Sequence, residues 1–299
     1  MRRPLHSPAA LRSSSPPAYD AAALRTLLAE AVQAEATDLH FKVPGPPRFR
    51  IGGALQPTAR PRLSPTDMHR LAQTVLELSG SPAALANITD LSVGFGVQGL
   101  GRFRADIYRQ RGTLGVNIHR MALVPPNLAD FQPPADFATS VWSDGGLTLV
   151  LGRIERLAIV AALVAEYNRT CPGHLVALEH PLEFLHRDAL ASIAQREVGV
   201  DVPSVEAGLR AALVDDSDAL SVTDLPTAEA AEMALRLAES GRPMVVGFTG
   251  CSPHETLSCL VRLFPVQRER EIKSRFAAVL RQVVWLEDGV LQVRAGRVR

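Results

Sequence analysis

Residues 146–163 read GLTLVLGRIERLAIVAAL. An apolar run, Leu147 to Leu151, meets Gly152 and passes into a segment where Leu157, Ala161 and Val164 recur at helical spacing. A buried strand that feeds a helix is the repeating unit of a parallel sheet covered on both faces. The same order of strand, glycine and helix is the layout of a phosphate-binding loop. Such a loop needs glycines whose backbone N–H groups close around an anion, a lysine for the β and γ phosphates, and a Ser/Thr hydroxyl for Mg²⁺. Here Gly152 stands alone. Aligned without a gap, Leu157 takes the second glycine position, Ala158 the lysine position and Ile159 the Ser/Thr position. The chain holds two lysines, Lys42 and Lys273, both distant in sequence. Arg153 and Arg156 bring positive charge, but Glu155 between them opposes an anion.

The strand–helix rhythm continues after this unit. Apolar strands are expected at 147–152, 174–179, 218–224 and 243–248, with helices at 154–168, 204–214 and 226–240. Residues 254–283 read as further helices. The end of the chain reads as a hairpin turning at Asp288-Gly289. Upstream, VPPNLADFQPPADFATSVWSDG (124–145) carries two Pro-Pro pairs and little periodicity, the composition of a linker.

The N-terminal half reads differently. An amphipathic helix at 20–35 places Leu24, Leu27, Leu28, Ala31 and Val32 on one face, with Asp20 as its cap. Short strands follow at 39–43 and 48–51, divided by a PGPP turn, then a helix with Ser64 as cap and Pro65 in its first position. Residues 91–121 alternate as paired strands, with Phe103, Ala105 and Ile107 on one side and Arg102, Arg104 and Asp106 on the other. Residues 20–123 therefore form an α+β domain, and 1–19, rich in Pro and Ser, a disordered tail without a signal-peptide core.

The bulk numbers agree with a globular protein. The chain has 299 residues, 46% of them hydrophobic and 21% charged, which suits about two domains. A net charge of +1 gives no global field toward nucleic acid or an anionic membrane. Three scattered cysteines, in no zinc or C-x-x-C spacing, read as small buried side chains of a reducing compartment. HPLEFLH (180–186) lacks the histidine spacing of a zincin, so no metal is expected.

Several segments, taken in order, resemble the PilT-type ATPases of type IV pilus retraction, within the type II/IV secretion ATPase superfamily. ATDLHFKVPGPPRFRIGGAL (36–55) is similar to the family's A-S/T-D-I/L-H opening and its P-P-x-x-R strand. GRFRADIYRQRGTLGVNIHR (101–120) resembles its R-F-R strand and Q-R-G turn. LEHPLEFLH (178–186) resembles the Asp box, residues 208–241 follow the register of the Walker B region, and LVRLFP (260–265) resembles a late V-F-P element. The resemblance implies a PAS-like N-terminal domain at 20–123, a linker at 124–145 and a RecA-like P-loop NTPase core at 146–299. It also implies a hexamer-like ring.

Carried over residue by residue, the resemblance makes 146–163 a degenerate Walker A unit with Gly152, Arg153 and Arg156 as its remnants. The Asp box keeps Glu179 and Glu183 but has His180 in place of Asp. Asp224, preceded by Thr223, stands at the Walker B carboxylate, and Thr249 stands where the His box places its histidine. Arg102, Arg104 and Arg111 match arginines that face the nucleotide's phosphates in the family. The resulting expectation is a catalytically inactive homologue, a structural or regulatory subunit of pilus or secretion machinery. It needs no cofactor, or ATP and Mg²⁺ if the site survives. Its expected partners are copies of itself or an active PilT-type ATPase in a mixed ring, and an inner-membrane platform protein. Its expected location is cytoplasmic, peripheral to the inner membrane. Two alternatives are an active ATPase that uses Arg153 or Arg156 for the lysine and Asp224 or Glu179 as carboxylate, and a nucleic-acid-binding module built on the arginine strand. Nucleic acid is not expected, because Phe103 and Tyr108 fall on opposite faces of that strand.

Overall fold

A computed structural model describes residues 19–121, 124–143, 145–153, 155–249 and 252–296. The chain divides into two compact units, residues 1–120 and 121–299. The expected tail lies outside the described residues except for Tyr19, which is buried and accepts a hydrogen bond from Thr74 Oγ1 (3.1 Å).

In the first unit, Asp20 caps α1 (Ala21–Gln33) by accepting the Ala23 N–H at 2.8 Å, and Leu24, Leu27, Leu28 and Ala31 are buried. Strands β1 (Asp38–Lys42), β2 (Arg48–Ile51) and β3 (Ala54–Pro57) follow. All four residues of the last are exposed, so it carries no alternating signal. Helix α2 (Pro65–Ser79) starts at Ser64, which forms a reciprocal capping box with Asp67, and ends on Gly80 in the left-handed conformation. Strands β4 (Asp90–Val97), β5 (Gly101–Gln110) and β6 (Thr113–Arg120) complete an antiparallel sheet in the order β3-β2-β1-β6-β5-β4. Phe103, Ala105 and Ile107 are buried in one core with the leucines of α1 and α2. The alternate residues of β5 form the polar face of this sheet.

The second unit opens with a short 3₁₀ turn (Leu128–Phe131) and α3 (Phe137–Ser143). Leu128, Phe137, Val141 and Trp142 are buried in its core, and the Trp142 ring meets Tyr167 edge-on at 5.0 Å. The Pro-rich stretch is thus built into the unit. Then come β7 (Gly146–Leu151), α4 (Glu155–Thr170), β8 (His174–Glu179) and β9 (Ser192–Glu197). They are followed by α5 (Val205–Ala212), β10 (Ala219–Val222), α6 (Ala228–Glu239) and β11 (Pro243–Phe248). Helices α7 (Thr256–Val261) and α8 (Glu269–Val279) lead to β12 (Leu280–Glu287) and β13 (Val290–Ala295).

The seven strands run in the order β13-β12-β7-β11-β10-β8-β9. Every pairing is parallel except β12 with β13. One core lies on the face of the sheet that carries α5, α6 and α8, and another on the face of α3 and α4. Two local expectations are corrected. Residues 280–283 are strand, because α8 ends at Val279 and LRQVV then pairs with β7 and β13. The strand expected at 218–224 is confined to Ala219–Val222, since Thr223 and Asp224 leave the ladder. Of the described cysteines, Cys259 is buried as expected, whereas Cys171 is free and only half-buried. No helix among the described residues is long and apolar enough to cross a membrane.

Candidate functional site

In a sheet of this kind ligands bind beyond the carboxyl ends of the parallel strands. Here the ends of β7, β10 and β8 bring two clusters together.

The first cluster is built on Arg156. Gly152 takes φ +149°, and a Cβ there would lie 3.3 Å from the Arg156 backbone nitrogen, so glycine permits the tight passage from β7 into α4. Arg156 Nε donates to the Thr223 carbonyl at 3.1 Å, one terminal nitrogen donates to the Arg153 carbonyl, and the other lies 3.5 Å from Asp224 Oδ2. The side chain is only 11% exposed. All three guanidinium nitrogens face protein oxygens, which engages each nitrogen once and three of the five N–H donors at most. Burial pushes the Asp224 carboxyl above its ordinary range, and Arg156 pulls it back down. Asp224 also accepts the Leu225 N–H at 3.0 Å. Arg156 and Asp224 therefore face each other across 3.5 Å, the cation offsetting part of the cost of burying the carboxylate.

The second cluster surrounds Glu179 at the end of β8. Its carboxyl is almost fully buried, and this burial pushes it up to about 7. Gln195 Nε2 donates to Glu179 Oε1 at 2.8 Å, and the neighbouring Glu197 and Glu183 add like charge. A carboxyl that titrates near neutrality is suited to general-base work, but only if substrate and water reach it. The cavity beside Glu179, lined by Leu157, Ala161, Val164, Glu183 and Thr223, measures about 10 Å³. That is the space of about one water molecule, against the few hundred cubic ångströms a small ligand requires.

Thr223 links the clusters. Its carbonyl accepts from Arg156, and its hydroxyl accepts the His180 N–H at 2.9 Å. His186 is neutral at physiological pH, because burial pushes its imidazole down to about 4, and its backbone N–H donates to Gln195 Oε1 at 2.7 Å. Among the described residues no group of three or more His, Cys, Asp or Glu side chains is arranged to hold a metal.

Gly152, Arg153, Arg156 and Asp224 thus come together, and Glu179 and Glu183 stand beside them. Arg102, Arg104 and Arg111 belong to the sheet of the first unit. Arg104 Nε lies 3.8 Å from Asp106 Oδ1, while Arg111 sits exposed in the β5–β6 turn with φ +50°. Gln195 and Glu197 escaped sequence reading because their strand, β9, is a half-buried edge without clean alternation.

No family model matches the chain. It is 24% identical to the type IV pilus ATPase PilU of Pseudomonas aeruginosa over 262 residues, which cover 86% of this chain and 68% of PilU. It is 25% identical over 274 residues to the type IV pilus retraction ATPase PilT of the same species, covering 91% of this chain and 79% of PilT. The crystal structure of the pilus retraction motor PilT with bound ADP superposes with a TM-score of 0.76 at 26% identity, over 89% of this chain and 80% of that one. The second unit has the RecA-like fold of that motor's C-terminal domain.

Proposed function

We propose that this chain, a homologue of the PilT and PilU type IV pilus ATPases, is a non-hydrolysing subunit of pilus or secretion machinery. It assembles with copies of itself or in a mixed ring with an active ATPase of the family, against a platform protein at the cytoplasmic face of the inner membrane. The observation that carries this reading is the arrangement of Arg156. Where a phosphate loop opens N–H groups toward an anion, this chain turns a guanidinium inward onto Thr223, Asp224 and Arg153. Gly152 has no second glycine, lysine or Ser/Thr hydroxyl beside it at the required spacing. The residues present do not fit Mg·ATP.

The strands and helices around this place remain well packed. Leu147 and Leu149 are fully buried, as is Leu163 on the helix that follows. A sound scaffold with closed chemistry supports a binding role. The likeness to PilU and PilT supports pilus machinery and twitching motility as the setting.

Calorimetry with ATP and Mg²⁺, beside a hydrolysis assay, tests the reading. The expected result is no Mg²⁺-dependent binding tighter than about 1 mM and no phosphate release above background. Micromolar Mg²⁺-dependent binding, with hydrolysis abolished by Asp224→Asn, would overturn it. Size-exclusion chromatography with a purified active PilT-type ATPase tests the assembly, with co-elution expected. Failure to bind either such an ATPase or the platform protein counts against the scaffolding role.

A further inference from the structure

The first unit holds a hollow of about 510 Å³, within the size range of small-molecule sites. Strand pairing explains how it forms. His40 lies between Arg48 on β2 and Asn117 on β6. One step further, Lys42 pairs with Gly115, and Gly115 with Tyr108. Gly115 has no side chain, and the Tyr108 ring fills its place: a Cβ there would lie 2.5 Å from Tyr108 Cζ. The ring thereby becomes a floor beside Lys42. Val43, Pro44, Pro46 and Leu55 give apolar walls. The rim is held by backbone hydrogen bonds, from Gly45 to the Lys42 carbonyl and from Leu63 to the Gly45 carbonyl, both 2.9 Å.

Charge in this hollow has one sign. Lys42, Arg48 and Arg62 line it, no carboxylate does, and none of the three is ion-paired among the described residues. The adjacent Asp38 is engaged elsewhere, 2.9 Å from His119 Nδ1 and 3.6 Å from Arg50 Nε. Two guanidinium forks and an ammonium suit an anion with several oxygens. The Tyr108 ring and apolar walls suit a flat, less polar body attached to it.

We propose that this hollow binds a small organic phosphate, with the phosphate among Lys42, Arg48 and Arg62 and a planar body on Tyr108. A net charge of +1 and a concave shape favour a compact ligand over a nucleic acid strand. Binding in this hollow is independent of any ATP binding by the second unit, because the residues differ and no Mg²⁺ is required.

Calorimetry with AMP, inorganic phosphate and adenosine, at low ionic strength and with EDTA present, tests it. AMP is expected to bind with Kd below about 1 mM, and adenosine, which forfeits every phosphate contact, at least about a hundredfold more weakly. The Arg48→Ala/Arg62→Ala double variant is expected to lose roughly a hundredfold in AMP affinity, each charge-assisted contact being worth about tenfold, with its circular dichroism unchanged. Absence of AMP binding in the native chain would overturn the proposal, as would full affinity in the folded double variant. So would a double variant that changes only the oligomeric state, which would make the hollow a contact between subunits.

Discussion

Replacing Glu179 by glutamine is expected to stabilise the protein by about 3 kcal/mol at pH 8 and to change little near pH 4. The carboxyl titrates at about 7 in the folded chain, against an ordinary value of 4.5, and burial is the main cause. Between those values the folded state binds the proton that the unfolded state has released. Stability from this group is therefore complete below pH 4.5 and is lost as pH rises through 7. Above that, an ionised carboxylate is held in a nearly dry place beside Glu197 and Glu183. Glutamine imitates the protonated acid and keeps an oxygen for the Gln195 amide. Urea denaturation at several pH values reads the effect directly. A Glu179→Gln protein no more stable than the parent at pH 8 would contradict the buried-acid account.

The parent protein partly hides this dependence. His186 is pushed down from 6.5 to about 4 by burial. Its neutral form is favoured in the folded state, so its contribution is present above pH 6.5 and is lost as pH falls through 4. The two windows overlap with opposite sign and similar size. The same Gln195 side chain ties them together, donating to Glu179 and accepting from the His186 backbone. In Glu179→Gln the histidine's acid sensitivity stands alone, and stability falls on acidification from neutral pH.

How much of this was readable in advance depended on where each signal resides. The β7–α4 unit, the Ser64 cap and the Asp288-Gly289 hairpin were legible because each is local. In the hairpin, Asp288 and Gly289 take φ +50° and +80° between the paired residues Glu287 and Val290, as an Asp-Gly two-residue turn requires. Elements that depend on distant partners were not legible. Helix α3 is only seven residues long, too short to form by propensity, and exists because Phe137, Val141 and Trp142 are buried against α4 and the sheet. Strand β9 shows only half-burial along most of its length. At the candidate site, the missing lysine is a fact of sequence. The inward direction of Arg156 is not, since its partner Thr223 lies 67 residues away.

The closeness of that packing gives the second large effect, at Gly247. This residue sits within β11, paired to Val150 of β7. A Cβ there would stand 2.3 Å from the Thr223 carbonyl oxygen and 3.3 Å from Arg156 Cδ. The nearer contact is backbone just past the end of β10, where the Thr223 N–H is tied to the Leu178 carbonyl at 3.1 Å, and it is not the movable end of a side chain. Gly247→Ala is therefore expected to cost about 3 kcal/mol, at the upper end of the range for overpacking a core, seen as a lower urea midpoint. The strain falls on the carbonyl that Arg156 Nε uses, so the two positions act as one unit. Arg156→Ala removes that hydrogen bond and the cation facing Asp224, leaving a half-buried carboxylate without its charge partner. Once Arg156 is absent, moving the Thr223 carbonyl breaks nothing further on that side. The double variant is expected to be destabilised by less than the sum of the single variants, by about 1 kcal/mol. Strict additivity would mean that Arg156 does not lock the end of β10, and the closed state of this site would then need another cause.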